Sequence, residues 1–269
     1  MRRSTTMAFD IDKYAATSTN VNWSDLDLER FREHPLSAQS LRTLRYMADV
    51  EYHTVCYTRD LLTTPSHKED DTRTFMTMWN REEFWHGEAL AEVLKMHDIV
   101  VDYDATRAAR LKVGWRDKLD PIKQGAIGQI IGSDFVAVHM SWGAANELSA
   151  IHAYNRMAAL EEDPTLAALL KRIAAQEARH VAFYTSQARE RLAKSKKAQV
   201  ITRFVLKNAW SPVGSSIKEK GEVIDAMSHL MSGEQGRKAA KKIDSAISAL
   251  PGLSGLRIMN HALDGLGIA

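Results

Sequence analysis

Two short stretches of the chain, 83–86 and 177–180, have the pattern Glu-x-x-His. Residues three apart lie on the same face of an α-helix, so one helix can offer a carboxylate and an imidazole to one metal ion. Carboxylate oxygens combined with imidazole suit iron or manganese better than copper. Two such helices, each paired with a helix that carries one further glutamate, form the dinuclear site of some four-helix bundles.

The first half of the chain supplies one such pair of helices. Apolar periodicity predicts a helix over about 37–62 and a second helix over about 70–97, with a break at 63–66. Glu51 lies about three turns before the end of the first helix, and Glu83 lies about three turns after the start of the second. Because a short loop makes the two helices antiparallel, we expect Glu51 and Glu83 at the same height.

The second half repeats this arrangement. A third helix is predicted from just after Pro121 to Glu161, and a fourth from Pro164, at its first position, to about Lys197. Glu147 lies about four turns before the end of the third helix, and Glu177 about four turns after the start of the fourth. Each hairpin therefore offers one lone glutamate and one Glu-x-x-His motif at matching depth.

These placements predict an all-α protein with a ferritin-like four-helix bundle. A long crossover at 98–120, with an amphipathic helix around 106–117, would let the second and third helices run parallel. We expect an N-terminal arm at 1–35, the bundle at 36–198, and a C-terminal helical appendage packed on the bundle at 199–269. The appendage could cap the bundle, close a substrate channel or form a dimer contact. The predicted metal ligands are Glu51, Glu83, His86, Glu147, Glu177 and His180.

The composition of the chain argues against several classes of protein. Of the 269 residues, 45% are hydrophobic and 26% are charged, which is typical of a globular protein, and the net charge of +2 gives no indication of nucleic-acid binding. The single cysteine, Cys56, excludes a disulfide framework and cysteine-rich metal sites, and it is typical of a cytoplasmic protein. Asp134, His139 and Glu147 interrupt the most apolar stretch, so we expect a buried helix there and no membrane span.

The motifs resemble a known family. Residues 79–87 resemble the Trp-x-x-Glu-Glu-x-x-His-Gly segment of the soluble acyl-carrier-protein desaturases, and residues 176–180 resemble that family's second motif. The lone glutamates match in position, and Asn155-Arg156 echoes the helix of the second one, so the resemblance covers about 40–190. It implies that Glu83 and Glu177 bridge two irons. It also implies four terminal ligands, namely Glu51, His86, Glu147 and His180.

The family uses O2 and two ferredoxin-delivered electrons to remove hydrogens from an unactivated acyl chain. The resemblance therefore implies two iron ions, with manganese as an alternative, together with O2 and an external electron donor such as ferredoxin. It also implies that an acyl carrier protein, or another acyl substrate, is the partner. We further expect a homodimer, in contrast to the multi-subunit shells of iron-storage proteins.

Two departures from the family leave the reaction open. Gln176 stands where the family usually has an aspartate oriented toward a ligand histidine, and a neutral amide makes that histidine less basic. Ala150, beside Ser149, stands where the family has a threonine. Desaturation, hydroxylation and N-oxygenation of another small molecule therefore all remain candidate reactions. An iron-oxidising or storage protein is the alternative from another functional class.

Several other residues allow two interpretations. Glu82 competes with Glu83, but the second motif has only the glutamate at the matching position, which favours Glu83 and places Glu82 beside the site or in solvent. Tyr184 could be a redox tyrosine or part of the core. His139 and His152 have no carboxylate partner at a matching spacing and are interpreted as core or hydrogen-bonding residues. Large apolar side chains could fill the core or line a channel, namely Met78, Trp85, Met140 and Trp142.

Basic residues gather in two stretches late in the chain. Such stretches are solvated helix faces in most proteins, but they could also dock an acidic carrier protein or ferredoxin through opposite charge. The first stretch comprises Arg189, Arg191, Lys194, Lys196 and Lys197, and the second comprises Arg237, Lys238, Lys241 and Lys242.

Overall fold

The computed structural model describes residues 9–101 and 114–268. The described part is helical and contains no strand, and single 3₁₀ turns lie at Glu29–Arg32, Pro65–Lys68 and Gly132–Asp134. The predicted amphipathic helix around 106–117 falls mostly outside the described residues. The α-helices are α1 (Ile11–Thr17), α2 (Ala38–Leu61), α3 (Asp70–Lys95), α4 (Trp115–Ile131), α5 (Phe135–Glu161), α6 (Pro164–Lys194), α7 (Lys196–Ala209), α8 (Lys220–Met231), α9 (Gly233–Ser248) and α10 (Ile258–Leu266).

Helices α2, α3, α5 and α6 form the bundle. Helix α2 packs along α3, α5 packs along α6, and α3 also contacts α6. Local signals in the sequence fix where these helices begin. The Ser37 side chain accepts a hydrogen bond from the backbone N–H of Ser40 at the start of α2, and Asp163 caps α6 directly before Pro164. Both predicted hairpins are therefore present, and the predicted fold class is confirmed.

The predicted third helix was wrong in its first part. Pro121 lies inside α4, and the chain then leaves the helix at Gly132, whose φ of 75° is in the left-handed region that favours glycine. A 3₁₀ turn follows, and α5 begins only at Phe135. The fourth helix is shorter than predicted, because Ser195 adopts an extended conformation and caps α7 by accepting a hydrogen bond from the backbone of Ala198.

The segment before α2 packs into the interior. Tyr14, Val21, Leu28 and Phe31 are all buried, and α1 lies against α3. The sequence pattern of this segment is polar and weakly periodic, so its contacts with the bundle could not be predicted. The division of the chain into arm, bundle and appendage stays a prediction.

The helices after α6 cover one side of the bundle. Helices α7, α8 and α9 pack against α5, and α8 also packs against α2. Helix α8 begins only at Lys220, because Gly214 has a φ of 95° and starts a turn. None of the described helices is both long enough and apolar enough to cross a membrane. The C-terminal helices therefore form a wall beside the two lone-glutamate helices.

Candidate metal centre

The structure brings all six predicted ligands together inside the bundle. Their side chains form two overlapping groups, and within each group the ligand atoms lie within 4.8 Å of one another. Glu83 and Glu177 belong to both groups, as the family resemblance implies for bridging residues. One group, the His86 half, adds Glu51 and His86 to this pair. The other group, the His180 half, adds Glu147 and His180 to the same pair.

Both histidines point the same ring nitrogen at the carboxylates. Nδ1 of His86 lies 3.1 Å from Glu83 Oε2 and 3.2 Å from Glu177 Oε1. Nδ1 of His180 lies 3.0 Å from Glu177 Oε2 and 3.1 Å from Glu83 Oε1. The Oε2 atom of Glu147 is 3.7 Å from the same nitrogen. Each Nδ1 is therefore placed to ligate an ion between the carboxylates, and each Nε2 faces outward.

The outward nitrogens of the two imidazoles have different partners. Nε2 of His86 lies 2.8 Å from Oε1 of Gln176, whose own amide nitrogen donates to the carbonyl of Thr19 at 3.1 Å. Nε2 of His180 lies 2.7 Å from Oε2 of Glu82. One histidine therefore has a neutral amide as its partner and the other has a carboxylate.

Glu82 is fully buried, so the structure places it beside the site and not in solvent. Besides its contact with His180, its Oε2 accepts a hydrogen bond of 2.9 Å from the Tyr14 hydroxyl. Its other oxygen lies 3.7 Å from the Arg179 guanidinium. A carboxylate in this position holds the imidazole ring of a metal-binding histidine in a fixed orientation.

Burial and mutual charge shift the pKa values of the cluster strongly. Burial, reinforced by Glu83 and Glu177 respectively, raises the pKa of Glu51 and of Glu147 well above the usual range. Burial also opposes ionisation of Glu83, but the charges and hydrogen bonds of His180 and His86 together outweigh it and hold the pKa of Glu83 well below the usual range. Without metal, the cluster thus has to share protons between carboxylates and imidazoles.

The residues present fit a pair of divalent cations. Glu83 Oε1 and Glu177 Oε1 are buried and accept no hydrogen bond from the described residues, although each lies within 3.2 Å of a histidine Nδ1. Buried carboxylate oxygens without partners are costly unless a cation binds them. The four carboxylates of the site carry the charge that balances two divalent ions, and this donor set suits iron or manganese.

An apolar cavity borders the His86 half. Glu51 reaches its wall, and the hydroxyl of Tyr154 donates a hydrogen bond to Oε1 of Glu51. The cavity is narrow, with a volume of ≈ 50 Å³. Its wall comes from α2, α5 and the C-terminal helices, and includes Met47, Val50, Ser149, Ala150, Ala153, Met227, Leu230, Met231 and Met259.

The remaining sequence candidates lie outside the two ligand groups. His139 is buried, with Nδ1 2.9 Å from the Ser66 hydroxyl, and His152 is half-buried. Tyr184 is fully buried. Met140 fills the core and Trp85 packs against Trp23, and neither lines the described cavity.

Most of the first basic stretch takes part in ion pairs. Arg191 pairs with Glu69, Lys194 with Glu190 at 2.5 Å, and Lys197 with Asp134 at 3.7 Å. The second stretch lies on α9, and all four of its basic residues are exposed. The exposed basic face of α9 is therefore the better candidate for an acidic partner.

Sequence reasoning missed two residues that support the site. Tyr154 follows Glu147 by two helical turns, so the helical period places it on the same face, and this signal could have identified it. Tyr14 contacts Glu82 across 68 positions of sequence, and no local pattern marks it. The partners of a buried carboxylate can come from any part of the chain, and only the fold reveals them.

Comparison with known proteins bears on the fold. No protein-family model matches the chain, and no curated protein matches it. Among solved structures, the chain is similar to DesA2 from Mycobacterium tuberculosis H37Rv, which is proposed to be an acyl-ACP desaturase. The TM-score is 0.56 at 17% sequence identity, with 95% of this chain and 93% of that chain covered. At the level of the fold, the resemblance to the acyl-ACP desaturases is therefore confirmed, and the chain has a ferritin-like helical fold.

Proposed function

We propose that this protein is an O2-dependent di-iron oxidoreductase that introduces a double bond into an acyl chain bound to an acyl carrier protein. The observation that carries the proposal is the buried cluster of four glutamates and two histidines, which borders an apolar cavity. The similarity in fold to DesA2 supports the same class of activity.

Each residue of the cluster has a defined role in the proposal. Glu51 and His86 would hold one iron, Glu147 and His180 the other, and the carboxylates shared by both halves would lie between them. When bound, the iron pair supplies the oxygen and electron-transfer chemistry that an unactivated C–H bond requires. The protein supplies fixed ligand positions, because both imidazole rings are held from outside by hydrogen bonds.

The cavity would orient the substrate chain. Its wall is almost entirely apolar, which favours a hydrocarbon chain over water, and Glu51 brings the His86 half to that wall. The Ser149 hydroxyl at the wall donates to the carbonyl of Ala145 at 2.7 Å, so it adds little polarity to the cavity. A bound chain would therefore lie beside the metal centre in a space without water.

An acyl carrier protein and a ferredoxin-type donor are the proposed partners, and a homodimer is the proposed assembly. Both partners are acidic, and the exposed basic face of α9 supplies opposite charge (Arg237, Lys238, Lys241 and Lys242). Association through such a face should weaken steeply as the salt concentration rises.

The proposal is tested with the iron-loaded full-length protein. Iron content is measured first, and we expect about two ions per chain, as in other carboxylate-bridged bundles. The protein is then reduced, mixed with O2 and acyl carrier proteins bearing chains of different length, and the released acyl groups are analysed by mass spectrometry. Loss of two hydrogens supports the proposal. Gain of one oxygen would replace it by hydroxylation, and ferric mineral without an acyl product would indicate iron handling.

The cavity gives a sharper version of this test. Ala150→Leu would fill part of the narrow space, so we expect shorter chains to be preferred while the iron content stays unchanged. Ala159→Leu places the same side chain on an exposed position of the same helix and serves as the control. An unchanged chain-length profile in Ala150→Leu would show that the substrate does not enter this cavity.

A further inference from the structure

The two halves of the metal centre differ in the groups that hold their histidines. We propose that the His180 half binds a divalent cation more tightly than the His86 half, and that the outer partners Glu82 and Gln176 set this difference. The N-terminal segment 14–19 positions both partners. The proposal rests on the metal-binding part of the proposed function and is independent of the acyl chemistry.

The outer partner of His180 makes its imidazole the stronger donor. Nε2 of His180 donates to the carboxylate of Glu82 at 2.7 Å, and a negative partner increases the electron density that Nδ1 offers to a metal. The Tyr14 hydroxyl holds the same oxygen at 2.9 Å. The Arg179 guanidinium lies over the Tyr14 ring, 4.6 Å from its centre, and fixes that ring in place.

The outer partner of His86 is weaker. The amide nitrogen of Gln176 donates to the carbonyl of Thr19, so its oxygen must face Nε2 of His86. An amide oxygen carries no net charge, so this imidazole gains less donor strength than His180. In addition, the Tyr154 hydroxyl donates to Oε1 of Glu51, which draws electron density from the terminal carboxylate of the same half.

Both outer partners are held by one short stretch of chain. Tyr14 lies in α1 and contacts Glu82, and Thr19 follows α1 and contacts Gln176. Arg179 fastens the stretch to α6, because its guanidinium donates to the carbonyl of Tyr14 at 3.2 Å and to the hydroxyl of Thr17 at 3.2 Å. The segment therefore positions the outer partners of both halves.

The difference is measured by titrating the metal-free protein with Mn²⁺ under anaerobic conditions. Calorimetry gives the stepwise dissociation constants, and electron paramagnetic resonance separates an isolated Mn²⁺ from a coupled pair. We expect dissociation constants that differ by about tenfold, the lower end of the effect of such outer partners on metal affinity. At one equivalent of Mn²⁺, most of the signal should then come from an isolated ion.

Two substitutions show which of the two Mn²⁺-binding steps belongs to the His180 half and which to the His86 half. Glu82→Gln should weaken the tighter step by about tenfold and leave the weaker step nearly unchanged. Gln176→Glu gives His86 a charged partner, so it should strengthen the weaker step and bring the two constants together. The second oxygen of the new carboxylate loses the hydrogen bond to the Thr19 carbonyl, and because Gln176 is half-buried, water can take over that bond. An increase in Mn²⁺ affinity in Gln176→Glu is informative, because a substitution that only disturbed the structure would lower the affinity.

A matched control adds the same charge to the same helix away from the site. Gln187→Glu lies about 16 Å along α6 from Gln176. Its side chain faces Arg191, so the new carboxylate would have a cation beside it. Both Mn²⁺ constants should stay unchanged in this variant, and circular dichroism checks that all three variants remain folded.

The outcomes separate this inference from the proposed function. Two equal binding steps in the unmodified protein, or no increase in affinity with Gln176→Glu, would overturn the inference while leaving the di-iron proposal standing. No binding of Mn²⁺ or Fe²⁺ at all would overturn both. Unequal steps in a protein that yields no oxidised acyl product would support the inference and overturn the acyl desaturase proposal.

Discussion

The ring of Tyr184 lies directly on the backbone of Gly143. A Cβ atom at Gly143 would lie 2.2 Å from Cε1 and 2.4 Å from Cδ1 of that ring. On its other sides, Tyr184 meets Phe75 and Trp79 edge-on, with ring centres 5.0 and 6.0 Å away. Gly143 precedes Glu147 by one turn and Tyr184 follows His180 by one turn, so this contact joins α5 to α6 directly beside the candidate metal centre.

We expect Gly143→Ala to lower the free energy of unfolding by about 1–3 kcal/mol, because the added methyl group would push the tyrosine ring into its packed neighbours. Urea titration measures the change. Gly221→Ala is the control, since nothing beyond its chain neighbours and its own helix backbone lies within 4 Å of its Cβ position, and alanine in a helix costs nothing or stabilises by about 1 kcal/mol. Equal effects at the two positions would show that the contact carries no strain.

Tyr184→Phe distinguishes the core and redox interpretations of this tyrosine. Its hydroxyl is buried and has no hydrogen-bond partner among the described residues. Removing an unpartnered buried hydroxyl should raise the free energy of unfolding by up to about 1 kcal/mol, and iron binding should be unchanged. Thermal melts and metal analysis check this expectation. Loss of O2-dependent turnover at full iron content would instead favour the redox role.

His139 should make stability depend on pH. Burial, together with the charge of Arg191, lowers the pKa of His139 to about 3, against an ordinary 6.5. Below pH 6.5 the unfolded chain therefore binds a proton at His139 that the folded chain does not bind. The free energy of unfolding accordingly falls as the pH falls from 6.5 toward 3. At pH 5 the loss is about 2 kcal/mol.

The matched variant for this prediction is His139→Gln, which can still bond to the hydroxyl of Ser66. Urea unfolding at pH 7.5 and pH 5 should show a smaller difference between the two pH values than in the unmodified protein, by about 2 kcal/mol. The same difference in both proteins would mean that His139 takes up its proton in the folded state.

Glu147→Gln should have opposite effects on the melting temperature in the absence and in the presence of metal. Burial raises the pKa of Glu147, and so does the nearby Glu177, so ionised Glu147 disfavours folding of the metal-free protein above its usual pKa range. The stability that the neutral form of Glu147 contributes is lost as the pH rises from the ordinary pKa of a glutamate toward the raised pKa of Glu147. The neutral amide should raise the melting temperature of the metal-free protein by about 2–4 °C.

With Mn²⁺ present, we expect the Glu147→Gln variant to melt at a lower temperature than the unmodified protein. The ions stabilise the unmodified protein by binding only its folded form, and the variant lacks one carboxylate of the His180 half. Calorimetric melts with and without Mn²⁺ measure both effects. A variant that gains as much from Mn²⁺ as the unmodified protein would remove Glu147 from the ligand set.

The six clustered residues could be predicted because their placement depends on local rules. Helical period fixes the face of each Glu-x-x-His motif, and the turn signals around Pro65 and Pro164 fix the depth of each glutamate. The outer partners obey no such rule. Tyr14 and Thr19 reach Glu82 and Gln176 through the packing of the N-terminal segment, which the local sequence does not encode.

The break between α4 and α5 could not be predicted from the sequence, for a different reason. Gly132 ends α4 through a backbone conformation, and glycine at that position is equally compatible with a continuous helix that packs closely. Pro121 is disfavoured inside a helix, yet tertiary contacts tolerate it there: its carbonyl accepts a hydrogen bond of 2.9 Å from Thr63. At Pro121 a contact with the first hairpin accompanies the departure from local propensity, whereas at Gly132 the local sequence is compatible with both conformations.

The sharing of Glu83 and Glu177 has a consequence for biosynthesis. Each half of the centre takes three residues from one hairpin and a single carboxylate from the other. During translation the first hairpin emerges long before the second, and it cannot complete an ion's coordination alone. An ion at this site would therefore gain its full set of ligands only after the chain has been made beyond His180 and the two hairpins have docked, and it would then link the two hairpins.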